Sequence, residues 1–145
     1  MVYYPTWDGE MVALNYETCQ VQWTISVADI ITKATRGSIP VAIQSLIAAV
    51  SLQGALLVAV SRGTSALLDT VQINSHPLAL ITMSPTIYQG RVLIGGSSFE
   101  EAAAAFVPGY KCCSFEGNFA AYDFDQTSSK FKMAWNIPTL PAGQG

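Results

Sequence analysis

The chain reads as all-β, a partial β-propeller of antiparallel four-stranded blades, with a helix as an alternative around residues 40–53. Three observations lead there. A degenerate hairpin unit recurs along the chain. Each copy places short apolar stretches either side of a polar turn, the pattern of a β-hairpin. Successive copies lie roughly 45 to 60 residues apart, a spacing that suits propeller blades better than one closed sandwich.

The clearest copy runs from Gly9 to Trp23. Its skeleton is a turn glycine, alternating apolar residues through Ala13, then Asn15, Thr18 and finally Trp23. The second copy starts at Gly54 and passes through Ala59, Ser61 and Thr64, with Asp69 standing where a tryptophan is expected. The third starts at Gly117 and passes through Ala120-Ala121, Asp123 and Thr127 to Trp135, stretched by a few residues before its tryptophan. Trp23 and Trp135 are expected to be structural, each indole finding a backbone carbonyl. Residues 1–30 therefore read as the outer part of one blade, 31–72 as a degenerate second blade and 73–145 as a third with a long insertion.

The middle stretch departs from the pattern. From Gly37 to Ser61 there is no charged residue. An apolar run of about 20 residues is long enough to span a bilayer, but Gln44, Gln53, Ser45, Ser51 and Gly54 argue against a membrane segment. Val41, Ile43, Leu46, Ile47 and Val50 fit helical spacing better than alternation. A helix there would replace two inner strands of the middle blade.

The third blade is the most regular. Thr82 to Tyr88 reads as the inner strand, with Pro85 near its start where a missing donor is tolerated. Gln89-Gly90 is a tight turn, Arg91 to Gly95 the second strand, and Asn118 to Phe124 and Lys130 to Trp135 the third and fourth. Antiparallel order puts the loop Asn74 to Ile81 and the long 97–117 loop at the same end of the blade. A connection of about 20 residues between two strands calls for an explanation. Ala102 to Ala105 after Glu100-Glu101 predicts a short helix, with both glutamates in the first turn where the dipole favours them.

That loop carries Cys112-Cys113. Adjacent α-carbons lie about 3.8 Å apart across a trans peptide, below the usual disulfide span of about 4.4 to 6.8 Å. Two readings stay open: a pair of buried free thiols, or a ring disulfide across a twisted or cis peptide. His76, the only histidine, reads as a hydrogen-bonded structural residue rather than a base. No Ser-His-Asp set, zinc-spaced cluster or phosphate-binding glycine loop can be assembled, so no catalytic residue and no metal ligand is assigned.

Ala13, Asn15, Thr18 and Trp23 resemble the tryptophan-docking repeat of quinoprotein alcohol dehydrogenases, the eight-bladed propellers that bind pyrroloquinoline quinone (PQQ); Cys19 replaces the family's glycine. The run Ser97 to Glu101 followed by Cys112 to Phe115 is similar to the polyvinyl-alcohol-dehydrogenase-like branch. The resemblance covers residues 1–30 and 54–145 and lapses between about 34 and 53. It implies a vicinal disulfide, Cys112–Cys113, over one face of the cofactor ring. It also implies PQQ and Ca²⁺ as cofactors and alcohol oxidation by hydride transfer to the quinone. The metal ligands and the base belong to blades this chain does not carry, so weak or absent cofactor binding and no autonomous activity are expected.

Two or three blades leave both end faces uncovered, so the chain reads as a fragment or as a unit that associates with itself or with further blades. The rival function is accordingly a non-enzymatic, self-associating interaction module. Half the residues are hydrophobic and 12% are charged, with a net charge of −3. That balance has no basic stripe, and a nucleic-acid partner is not expected. Met1 to Pro5 has neither the basic start nor the apolar core of a signal peptide and reads as a strand. The resemblance suggests a secreted or periplasmic setting, where a disulfide persists.

Overall fold

The computed structural model describes residues 1–6, 8–26, 28–29, 46–50 and 54–140. Among the described residues it is all-β and antiparallel, a partial-propeller-like arrangement of three sheets with a short helix in one inter-strand loop. Strands β1 (Val2–Pro5), β2 (Glu10–Asn15) and β3 (Gln20–Ser26) form the first sheet in that order. The second is β4 (Leu46–Val50), β5 (Leu56–Ser61) and β6 (Leu67–Gln72). The third orders β11 (Lys130–Pro138), β10 (Asn118–Asp125), β9 (Arg91–Ser98) and β7 (Ala79–Leu80), with β8 (Thr86–Tyr88) also on β9. Helix α1 (Glu100–Phe106) lies between β9 and β10, where the alanine run predicts it.

The helical reading of 40–53 is corrected where the structure describes it. Leu46–Val50 is a strand paired antiparallel with β5, Leu46 opposite Ser61 and Val50 opposite Leu57. A short apolar run has no reliable periodicity, and here pairing with β5 decides the conformation. Residues 40–45 and 51–53 lie outside the described residues.

The repeat has a structural meaning that spacing alone does not reveal. Ala13 pairs with Trp23, Ala59 with Asp69 and Ala121 with Trp135, and the register slips immediately after each alanine. Each copy is thus a hairpin with a β-bulge at one fixed place, which bends and twists the strand locally. The turns also match. Asn15 Oδ1 accepts the amides of Glu17 and Thr18 at 2.9 and 3.3 Å, Ser61 Oγ accepts that of Thr64 at 3.3 Å, and Asp125 Oδ1 accepts that of Thr127 at 2.8 Å. Cys19, Ser65 and Ser129 each close their turn with φ between 54° and 57°. Placing an L-residue in this left-handed region costs about 1 to 2 kcal/mol, offset by the side-chain bonds that fold each turn.

One alignment changes. The turn residue of the third copy is Asp125, not Asp123. Two further rungs, Tyr122 to Asp123 on one strand and Lys132 to Met133 on the other, lie between turn and bulge. The stretch seen in the sequence is therefore shared between both strands, so the Ala121–Trp135 pair is preserved. Asp123 instead accepts from Arg91 Nε and Nη2, at 2.7 and 2.9 Å.

The sheets stack front on back. Trp23 and Ile25, on the alanine face of the first sheet, pack against buried Val58 and Val60 of β5. The opposite, alanine-bearing face of the second sheet, with Ala55, Leu57 and Ile73, packs on Val92, Ile94, Ala120 and Tyr122 of the third. Ala59 meets Phe124 and Phe131 beside them. Fully burying a side chain such as Leu57 or Ile94 contributes about 1.5 to 3 kcal/mol. Two polar latches tie these interfaces. The Trp23 indole N–H donates to the Arg62 carbonyl at 2.9 Å, across to the next sheet's turn. Asp69, at the same repeat position, accepts Lys130 Nζ at 2.7 Å and the Phe131 amide at 2.9 Å. The acid that breaks the sequence pattern thus does the tryptophan's job by another chemistry.

Candidate functional site

The long third-sheet loop is anchored from both sides. Its entry is tied to the 74–81 connection by the Phe99 amide donating to the Leu78 carbonyl at 2.9 Å, and β7 pairs Ala79 and Leu80 with Ser98 and Ser97. Four alanines favour α1 locally, and the chain leaves it through a turn at Pro108-Gly109, where Gly109 has φ 80°. Past Tyr110 the loop is irregular until β10, so its amides need acceptors from elsewhere.

Glu100 supplies them. It opens α1, yet only 1% of its surface is exposed. Its carboxylate accepts the Tyr110 hydroxyl at 2.6 Å, the Ser114 amide at 3.0 and 3.1 Å, the Ser114 hydroxyl at 3.2 Å and the Phe115 amide at 2.7 Å. These bonds, the Tyr110 hydroxyl foremost, hold its carboxyl down at about 2 despite burial. Tyr110 is raised in turn by the same bond. Both glutamates lie in the first turn of α1, as the sequence predicts; Glu101 is exposed, and Glu100 serves in addition as the loop's internal acceptor. A bare loop of amides leading to a sheet is the signal that an internal acceptor is required, but it does not say which acid.

Cys112 and Cys113 are joined as a vicinal disulfide across a cis peptide, so of the two sequence readings the bridged one is realised. Both cysteines are exposed, not buried thiols. The two residues that follow them are those whose amides Glu100 grips, so a buried anion braces an outward-facing disulfide from beneath. Cys19, the odd cysteine, is free and exposed on the first turn.

His76 comes to the same place, as antiparallel order predicts. Its Nδ1 accepts the Leu78 amide at 3.2 Å, which assigns the proton of the neutral ring to Nε2. Nε2 lies 3.1 Å from Ser114 Oγ and 3.6 Å from Glu100 Oε1, and the ring sits edge-on to Phe115 at 5.6 Å. Glutamate, serine and histidine are thus in contact, a grouping that sequence spacing did not reveal. Their order is wrong for nucleophilic catalysis: the nitrogen facing the serine already carries a proton, and the serine hydroxyl is directed at the carboxylate. The group is a clamp that positions the disulfide loop.

Beside the clamp lies an open cavity of about 650 Å³, bordered by Asn74, His76, Ser114, Asn118 and Asn136; neither bridged cysteine lines it. Its amides satisfy one another. Asn118 Nδ2 donates to the Ile73 carbonyl at 2.8 Å and to Asn136 at 2.7 Å. Asn74 Nδ2 donates to the Glu116 carbonyl and to Asn118, both at 2.9 Å. The cavity is therefore a seam between the 74–81 connection and β10. Among the described residues no group of three or more His, Cys, Asp or Glu side chains is arranged to hold a metal ion. No protein-family model and no curated protein matches the chain.

Proposed function

We propose that the chain contributes one wall of a quinone site in a propeller-type alcohol dehydrogenase, with Cys112–Cys113 lying against the cofactor ring. The carrying observation is the exposed vicinal disulfide braced on buried Glu100. A flat, rigid sulfur pair at the loop end of a blade suits the face of an aromatic quinone. Bound there, such a quinone accepts two electrons from an alcohol.

The residues of this chain bind and orient. Cys112 and Cys113 cover one ring face, Glu100 and Ser114 keep that face in place, and His76 fixes Ser114. The described residues do not fit Ca²⁺, since no ligand cluster lies at the loop, and no step is assigned to the metal. One wall buries only a fraction of a ligand, so the chain alone should bind PQQ with Kd on the order of 1 mM. Titration of the chain with PQQ, followed by absorbance and tryptophan emission, tests this. Saturable binding lost in folded Cys112→Ser/Cys113→Ser protein is the expected result. Binding that survives the double substitution unchanged, or no saturable binding at millimolar PQQ, would overturn it.

A further inference from the structure

We propose that two copies of this chain dock front to back, the third sheet of one seating on the first sheet of the other, with the Trp135 indole N–H donating to the Tyr16 carbonyl of the second copy. This stands apart from the quinone reading and needs no cofactor. Its basis is an interface the chain already forms twice, in which the alanine-bearing front of one sheet covers the back of the next.

Both halves of a third such interface carry exposed apolar side chains among the described residues. On the third sheet, Ala121 pairs with Trp135 and Phe119 with Ile137, which sets these four on the front face. Trp135 is half-buried, its ring tilted against that of Phe119 at 5.7 Å, and its indole N–H has no partner among the described residues. Ile137 is 53% exposed. On the first sheet, Leu14 pairs with Val2 and with Val21, and Val12 with Tyr4, which sets these on the back face. Val12 and Leu14 occupy the positions of Val58 and Val60, the residues that Trp23 covers within the chain, but Val12 is already buried at 6% exposure and Leu14 is half-buried, so the surface open to a second copy is that of their neighbours. Val2, Tyr4 and Val21 are exposed, Val21 at 56%.

The latch is equally repeatable. Trp23 docks on Arg62, the residue after the turn's Ser61; the equivalent residue of the first turn, after Asn15, is Tyr16, which is exposed. A second copy is the natural occupant because every molecule carries both complementary faces. Such contacts are heterologous, closing into a ring or running on as an open chain according to the rotation they impose.

Sedimentation of the full chain from roughly micromolar to hundred-micromolar concentration tests the proposal. Wild type should associate with rising concentration. Ile137→Lys disables only the front and Val21→Lys only the back; both positions are more than half exposed, so folding, checked by circular dichroism, should survive. Each variant alone should associate at least about tenfold more weakly. Mixed in equal amounts they should pair, since one keeps its front and the other its back, and assembly should stop at two. Trp135→Phe, which keeps the ring but loses the N–H, should weaken association by about two- to tenfold. A wild type that stays monomeric throughout, a Val21→Lys protein that associates like wild type, or a mixture no better than its components would overturn it. Unchanged association of Trp135→Phe would remove the latch to Tyr16.

Discussion

Replacing Asp69 by alanine should destabilise the chain by about 2 to 3 kcal/mol, although the sequence repeat makes this residue look like a defect. Its carboxylate is mostly covered and bonds the Phe131 amide and Lys130 across the interface between the second and third sheets. Losing the acceptor strands a partly buried amide, which costs about 1 to 3 kcal/mol. Losing the ion pair with a half-exposed lysine adds at most about 1 kcal/mol. Asp69→Asn keeps an acceptor for the amide and should cost about 1 kcal/mol, and Lys130→Ala should cost no more than that. At about 3 °C per kcal/mol for a domain of this size, the alanine variant should melt about 6 to 9 °C early. Thermal unfolding at one fixed low concentration keeps self-association out of the comparison. If Asp69→Ala and Lys130→Ala melt together, within about 1 °C of wild type, the latch is a surface ion pair and the backbone contact carries nothing.

Trp23→Phe should cost about 0.5 to 1.5 kcal/mol through the lost bond to Arg62, and Trp23→Ala less than the 3 to 5 kcal/mol of a fully buried tryptophan, because Trp23 is half-buried. Glu100 carries a pH dependence. Its folded-state pKa of about 2 lies below the ordinary 4.5, so its stabilisation is complete above pH 4.5 and is lost as pH falls through 2. The stability advantage of wild type over Glu100→Gln should therefore shrink across that window in acid titrations, and an advantage that grows there would refute the clamp. Gly96→Ala should destabilise by about 1 to 3 kcal/mol, since a β-carbon there would stand 2.5 Å from Asn118 Oδ1 and push on the amide network; a neutral result in urea unfolding would show that network to be slack.

What the sequence made legible was local and periodic. The Ala13-to-Trp23 spacing predicts a hairpin, and Gln89-Gly90 predicts the β8–β9 turn, where both residues have positive φ. The alanine run predicts α1, and strand order predicts that the His76 and Cys112-Cys113 loops share one end of the blade, where the structure brings His76 into contact with Ser114. The losses follow from what a linear pattern omits. β5 is buried on both faces from Leu57 to Val60, so it shows no alternation, and β4 is a five-residue apolar run too short for periodicity to separate strand from helix. The spacing does not mark Asp125 as the turn residue because two inserted rungs are invisible until both strands are paired. The sequence shows only that Glu100 starts a helix, whereas its role is set by amides 14 and 15 residues further on. Asp69 looked like a broken repeat because an indole N–H and a carboxylate can close the same interface with opposite hydrogen-bonding roles.

The central claim, that each sheet presents a front latch to the back of the next, is tested most directly by indole N–H exchange in ¹⁵N-edited NMR, with resonances assigned from the Trp23→Phe and Trp135→Phe variants. The Trp23 indole proton should be protected at every concentration, being engaged within the chain. The Trp135 indole proton should exchange freely in dilute solution and become protected as the chain associates. A Trp23 proton that exchanges like a free indole, or a Trp135 proton whose exchange ignores concentration while the chain assembles, would contradict the account.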